Sequence, residues 1–186
     1  MTSPIDLTGL IRRARAGDAA AADALFAVTY PELRRMARAH LRRGGRDAVL
    51  DTTSVVHESY LRLAQGGLPF EDRFHFLGYA GKAMRAVVVD LARRQVAARR
   101  GGGAPHVPLA EGAEVPAAGA EEVLRVHEAL EALAALDPRT ARVVELRYFG
   151  GLTEVEVAAA LGVTERTVRR DWEKARLWFV EALRDG

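Results

Sequence analysis

The chain has 186 residues, 49% of them apolar, which is enough for one domain or two small ones with a buried core. It has no cysteine, which excludes disulfides, thiolate metal sites and a thiol nucleophile. Residues 1–100 carry 17 Lys and Arg against 10 Asp and Glu, whereas residues 101–186 carry 10 against 15. The basic first half favours a polyanionic partner, although Arg-rich helices can also be plain solvated surfaces.

The first half is predicted to be almost entirely helical, because Ala, Leu, Arg and Glu dominate and β-branched runs are scarce. Gly17 suits the end of one helix and Asp18 the start of the next. Pro31 suits the first turn of a new helix, so a break is expected just before it. The stretch "LPFEDRFHF" is expected to form a structured connection. The predicted helices cover residues 7–14, 19–28, 30–43, 52–65 and about 77–97.

A segment without periodicity divides the chain. Gly, Pro and Ala crowd "RRGGGAPHVPLAEGAEVPAAGAEE", which predicts a flexible linker over residues 98–120. The domains on either side are then 6–97 and 121–186. Because the linker lacks apolar anchors, the two domains should move independently unless a partner or an interface of their own holds them.

Clear helix boundaries mark the second half. A first helix carries an apolar stripe between Val123 and Leu133, and Asp137 followed by Pro138 is a strong start for the next. Thr153 and Glu156 match a capping box. Thr164 is expected to cap a last helix, which reaches about Arg184.

The segment "GLTEVEVAAALGVTERTVRRDWEKAR" predicts a helix-turn-helix. A short capped helix, a turn at Gly162 and a second helix with a basic start fit this motif, whose second helix enters the major groove. A plain antiparallel helix pair is the alternative. Apolar residues at i, i+4, i+7 and i+11 would form the buried side of the second helix: Val168, Trp172, Ala175 and Phe179.

The DNA-contacting side of that second helix is predicted from its polar residues. Arginine can offer two donors to guanine, and cations neutralise phosphates. Arg169 is assigned to bases and Arg170 to phosphate, whereas Asp171 should be turned away from DNA. The complete predicted set is Thr164, Arg166, Thr167, Arg169, Arg170, Lys174 and Arg176.

Aromatic residues alternate with cations from residue 70 to residue 82, as a single-stranded nucleic-acid site requires. Rings stack on bases, cations hold the backbone, and a flipped base needs a pocket. Phe74 and Leu77 are expected in the core, which leaves at most two rings for DNA. The candidate strand-binding residues are Phe70, Arg73, His75, Phe76, Lys82, Arg85, Arg93 and Arg94.

Motifs of other function classes are missing from the sequence. It has no Walker A, G-x-S-x-G or H-E-x-x-H motif, and its five histidines are scattered. We therefore expect no enzyme, no cofactor, no metal site and no small-molecule substrate. Without a long apolar run, a cytoplasmic protein with no membrane segment is expected. A dimeric helix-turn-helix regulator that binds an operator is the alternative function, although residues 1–97 show no strand alternation of an α/β ligand domain.

Four segments in order resemble bacterial sigma factors of the extracytoplasmic-function (ECF) group of the sigma-70 family. They are "ARAGDAAAADALFAVTYPELRRMARAHL", "DTTSVVHESYLRL", "FHFLGYAGKAMRAVVVDLARRQ" and the helix-turn-helix segment. The resemblance covers about 1–97 and 121–186. The sequence departs from the usual family pattern at Ser54, His57, Gly78, Ala86 and Asp171, where the family commonly has an acidic residue, Gln, Trp, Asn and a basic or neutral residue.

The resemblance implies an all-α protein with two small helical domains. Sigma region 2, at 6–97, would bind core RNA polymerase and the melted minus-ten element. Sigma region 4, at 121–186, would read the duplex minus-thirty-five element. The linker would thread toward the polymerase active centre, or serve as a tether only.

The resemblance also implies partners. They are the clamp helices of the largest polymerase subunit, the flap, promoter DNA and, in many family members, an anti-sigma factor. Polymerase would perform all the chemistry. The residues implied in core polymerase binding lie on the helix 52–65: Val55, His57, Glu58, Leu61 and Arg62.

Overall fold

The described part of the chain is all-α, as predicted. The structure is a computed structural model that describes residues 6–42, 52–65, 72–100 and 117–184. Within these ranges it contains eight α-helices and no strand. The first unit comprises α1 (Leu7–Arg15), α2 (Ala19–Arg42), α3 (Thr52–Gln65) and α4 (Arg73–Arg100). The second comprises α5 (Ala117–Leu136), α6 (Pro138–Val144) with its π-helical continuation (Glu145–Phe149), α7 (Glu154–Leu161) and α8 (Glu165–Arg184).

Local capping explains most helix boundaries. The Asp137 carboxylate accepts from the Thr140 backbone N–H, with Pro138 in the first turn. Thr153 and Glu156 form the predicted capping box. Gly162 ends α7 in the left-handed conformation, with φ of 64°. These predicted boundaries are confirmed.

The predicted break before Pro31 is wrong, because α2 runs through it. An interior proline removes one backbone hydrogen bond and costs about 3 kcal/mol. The buried face nevertheless continues on both sides of it, through Leu25, Leu33 and Met36. Burial of this continuous face offsets the local cost, so tertiary packing decides the length of the helix.

The start of α4 also differs from the prediction. Asp72 caps it, since its carboxylate accepts from the His75 backbone N–H at 2.9 Å and its carbonyl from the Phe76 N–H at 2.9 Å. Phe74 and Phe76 therefore lie on a helix and not in a connection. At the other end, α4 reaches Arg100 and α5 begins at Ala117, so both helices extend into the range predicted as linker. Residues 101–116 lie outside the described residues.

The two units share a hydrophobic core. One buried cluster combines Ile11, Leu33 and Met84 of the first unit with Leu146 and Val157 of the second. A further cluster lies inside the second unit, and the half-buried Trp172 packs against both. α4 packs against α5 and the π-helical segment. The two units are thus held together by an interface of their own. Independent motion was expected only without such an interface.

Candidate nucleic-acid interface

The C-terminal helices have helix-turn-helix geometry. After Gly162, the Thr164 hydroxyl accepts from the Thr167 backbone N–H at 3.2 Å and caps α8. The Thr164 and Thr167 hydroxyls are also hydrogen-bonded at 3.0 Å. Val168 is fully buried, so the predicted apolar side of α8 faces the core. This orientation leaves the basic residues of the first turns on the solvent side.

Arg169 is fixed between two helices. Its Nε donates to Glu154 of α7 at 3.0 Å and its Nη2 to Glu165 at 3.3 Å, while 62% of its side chain stays exposed. Glu154 also pairs with Arg147 at 2.8 Å, and the Arg147 guanidinium lies 4.5 Å from the Trp172 ring centroid. This network links α7 to α8 and leaves Arg169 at the surface.

The other predicted cations of α8 are exposed. Arg166 is exposed, and the side chains of Arg170 and Arg176 are 62% and 64% exposed. Lys174 lies further along α8, with its Nζ 3.8 Å from Asp137. All seven predicted residues thus lie on α8 or at its cap, in one basic surface suited to a polyanion.

Asp171 is turned away from this surface, as expected. It is fully buried, and its carboxylate accepts from Arg139 Nε at 2.7 Å and Nη2 at 3.3 Å. The charge of Asp171 is therefore neutralised inside the second unit and does not repel a phosphate bound at α8.

The long helix α4 carries a second polar surface. His75, Lys82 and Arg93 are exposed at i, i+7 and i+18, positions that lie on one side of a helix, with the exposed Ala86 between them. Arg94 is exposed beside this stripe. Asp90 is paired with Arg62 of α3 at 2.9 Å and lies 3.9 Å from Arg93, so its charge is shared between two arginines.

Arg85 does not belong to this exposed stripe. Its side chain is only 8% exposed, and it donates to Glu131 of α5 at 3.0 Å and to Glu145 at 3.4 Å. It also contacts Nδ1 of His127 at 3.0 Å. A guanidinium can only donate, so this nitrogen accepts and His127 is neutral. Burial lowers the pKa of His127, and the Arg85 charge lowers it further.

Arg73, the first residue of α4, links the two units. It donates to Glu32 of α2 at 2.8 Å and to Glu156 of α7 at 2.9 Å. Burial acts to raise the pKa of Glu156, but hydrogen bonds from the Thr153 backbone and from Arg73 outweigh it and lower the pKa. Arg73 and Arg85, two of the four predicted strand-binding arginines, are therefore occupied by carboxylates in this structure.

The predicted aromatic residues are divided. Phe76 is buried at 3% exposure and lines an apolar cavity of about 180 Å³ with Phe26 and Tyr60, so its ring does not lie on the surface. The reason is the early start of α4, which turns Phe76 toward α2 and α3. Leu77 is buried as expected, and Phe74 is half-buried. Phe70 lies outside the described residues.

A family model for ECF sigma factors matches residues 4–185. The chain belongs to the ECF sigma factor family. An ECF sigma factor has the RNA polymerase core and promoter DNA as its partners, and directs promoter recognition and transcription initiation. It is a regulatory transcription factor and not an enzyme. No match to an individual curated protein was found. Nothing in these comparisons favours the dimeric operator-binding regulator.

The surface of α3 expected to bind core polymerase is present in part in this sigma factor. His57 is exposed, and Leu61 is 53% exposed one turn later. Glu58 and Arg62 are half-buried and paired at 3.4 Å, and Arg62 also ties α3 to α4 through Asp90. Val55 was expected to take part but is buried at 2%, because it faces the shared core. It can support the docking helix but does not lie on its surface.

Sequence reasoning missed the second-unit residues that hold α4 of the sigma factor. Glu131, Glu145 and Glu156 supply the carboxylates, and His127 completes the group around Arg85. The opposite net charges of the two halves could have indicated that the halves pair with each other. They were interpreted only as a preference for external partners.

In the described ranges, no set of three or more His, Cys, Asp or Glu side chains is arranged to hold a metal ion. None of the described helices combines the length and apolarity that crossing a membrane requires.

Proposed function

We propose that this ECF sigma factor binds promoters through two separate surfaces. α8 would read the duplex minus-thirty-five element, with Arg166, Arg169 and Arg170 in the first two turns. The observation that supports this most directly is the burial of Val168 and Asp171, which fixes the phase of α8 and leaves those arginines outside.

The minus-ten element would be held by α4 after melting. The exposed stripe of His75, Lys82 and Arg93, with Arg94 beside it, supplies cations for the strand backbone. Arg73 and Arg85 would join them once their carboxylate partners are released. Phe70 remains the ring proposed for base capture, since Phe76 is committed to the core.

Core polymerase would bind at α3, with Leu61 as the apolar anchor, His57 beside it and the Glu58–Arg62 pair at the rim. A small apolar centre with a charged rim is the usual composition of a docking site. The proposed contacts are the clamp helices for α3 and the flap for the second unit. An anti-sigma factor is a further partner that the family suggests, and the site of action would be cytoplasmic.

In-vitro transcription with core polymerase on a library of genomic promoters tests the proposal. We expect transcripts from a defined set of promoters that depends on the sigma factor. Leu61→Glu should abolish core binding and transcription together, whereas Val28→Glu, at an exposed apolar residue of α2, should leave both intact. Operator-like binding of duplex DNA without any core association would contradict the proposal.

A further inference from the structure

We propose that the free sigma factor rests in a closed state, in which the second unit covers one side of α4 and withholds Arg85 and Arg73 from promoter DNA. This inference rests on the proposed function of α4 in minus-ten binding. It concerns the regulation of that site by the chain itself.

Two glycines of α4 make the close packing possible. A Cβ atom built on Gly81 would lie 2.8 Å from the Gly150 nitrogen and 2.8 Å from the Phe149 carbonyl carbon. A Cβ on Gly78 would lie 2.5 Å from Leu146 Cδ2. At Gly81 the obstacle is backbone, which cannot move aside as a side chain can. The two helical segments therefore approach closely only because glycine occupies this side of α4.

A larger side chain at Gly78 would force Leu146 to shift, and the guanidinium of Arg142 lies 3.4 Å from the same Cβ position.

Ionic contacts complete the interface. The buried guanidinium of Arg85 has Glu131 and Glu145 as partners, and Arg73 binds Glu156. These carboxylates occupy the sides of the arginines where a phosphate would bind, so the acidic second unit takes the place of the nucleic acid. Since a buried arginine needs a partner, release of Arg85 requires either water or DNA in exchange.

The dimensions show that the closed state cannot be the promoter-bound state. The positions that name the minus-ten and minus-thirty-five elements are about 25 base pairs apart, which corresponds to about 85 Å of duplex at about 3.4 Å per step. A compact chain of 186 residues has a radius of gyration of about 16 Å and a diameter of about 40 Å. The two units must therefore separate for both elements to be bound.

A spin-label distance measurement tests the closed state without DNA or polymerase. Because the natural chain has no cysteine, Ala20→Cys and Glu181→Cys place one label on α2 and one on α8, both at exposed positions. The free protein should give one narrow distance distribution. Gly81→Leu should broaden and lengthen it, whereas Ala97→Leu, at an exposed position of the same helix, should not. A distance distribution of the natural chain as broad as that of Gly81→Leu would overturn the proposal.

A second variant covers the case in which Gly81→Leu does not fold. The double variant Glu131→Gln with Glu145→Gln removes the carboxylates around Arg85 without adding volume, and Glu122→Gln, at an exposed residue of α5, is its matched control. Broadening in the double variant alone supports the proposal. Identical distributions in the double variant, its control and the natural chain overturn the ionic part.

Binding of single-stranded minus-ten DNA then tests whether closure inhibits. If about one molecule in ten is open, an opened variant should bind a minus-ten oligonucleotide about tenfold more tightly than the natural chain. An opened distance distribution with unchanged affinity for that oligonucleotide would show that closure does not withhold α4 from DNA. A narrow distribution in a chain that directs no transcription would refute the proposed function and leave the closed state standing, so the two failures are distinguishable.

Discussion

The Asp171 carboxylate accepts from the Arg139 guanidinium at 2.7 Å, and Asp171 has no exposed surface whereas 47% of the Arg139 side chain is exposed. This pair joins α8 to α6 directly behind the recognition surface. The inequality in burial means that the two residues are not equivalent as partners. Without the arginine, the carboxylate would remain buried without its main partner, whereas without the carboxylate the guanidinium would still be solvated.

Removing the arginine should therefore destabilise the sigma factor more than neutralising the carboxylate. Arg139→Ala leaves Asp171 buried with only Arg170 Nε at 3.6 Å, and a buried polar group without its partner costs about 1–3 kcal/mol. Asp171→Asn leaves an amide that can still bond, while Arg139 remains solvated. Urea denaturation followed by circular dichroism measures both, with Arg166→Ala as an exposed control. Equal losses in the two variants would contradict the asymmetry.

Substitution of Phe70 and substitution of Phe76 should have different effects on stability and transcription. Phe76→Ala removes a buried ring and should lower the free energy of unfolding by about 3–5 kcal/mol, with loss of transcription on every template. Phe70→Ala should leave stability unchanged and reduce open-complex formation more on duplex promoters than on pre-melted ones. Equal loss on both templates for Phe70→Ala, with normal stability, would show that this ring captures a base without assisting melting.

His127 should make closure depend on pH. Its pKa in the closed state is below the ordinary value of about 6.5, first because of burial and then because of Arg85. The separated state therefore binds the proton more readily. Closure is fully favoured above the ordinary pKa and is weakened as the pH falls below it. The charged groups around His127 come from α4 and α5: Arg85, Arg93, Glu128 and Glu131. Glu145 of the π-helical segment pairs with Arg85.

The distance distribution of the doubly labelled protein should accordingly broaden between about pH 7.5 and about pH 5.5. His127→Asn keeps a hydrogen-bond acceptor for Arg85 but does not titrate, so its distribution should stay constant over this range. Glu156 has a lowered pKa and adds a separate loss only under more acidic conditions, as the pH falls below its ordinary value near 4.5. Broadening that persists in His127→Asn at the milder pH would assign the effect to another group.

The sequence predicted those features that depend on neighbours along the chain. Asp137, Thr153 and Gly162 bond within three or four residues, so their pattern is visible without the fold. Pro31 was misinterpreted because burial of the whole α2 face, a tertiary effect, outweighs a local cost.

The pairing of the two units could not be predicted in the same way. Arg85 and Glu131 are 46 residues apart, and only packing brings them together. Gly78 and Gly81 allow α4 to approach the π-helical segment closely, but that segment lies far along the chain and the two glycines do not identify it. The sequence thus predicted which residue types form the candidate site. Only the structure shows which cations are exposed and which are paired with carboxylates of the second unit.

Arg169 and Arg170 should differ in how they contribute to minus-thirty-five recognition. Arg169 is oriented by Glu154 and Glu165, which suits a side chain that must present its donors to one base. Arg169→Ala should lower the binding free energy by about 1–3 kcal/mol and relax the preference at one promoter position.

Arg170, with 62% of its side chain exposed and only a 3.6 Å contact to Asp171, suits a phosphate. Arg170→Ala should weaken all sequences alike and reduce the salt slope by about one. Binding of both variants to a panel of minus-thirty-five duplexes at two salt concentrations separates the roles, with Glu181→Gln, at the far end of α8, as control. Uniform weakening and a reduced salt slope for Arg169→Ala would assign it to the backbone, and the base contact would then have to come from Arg166.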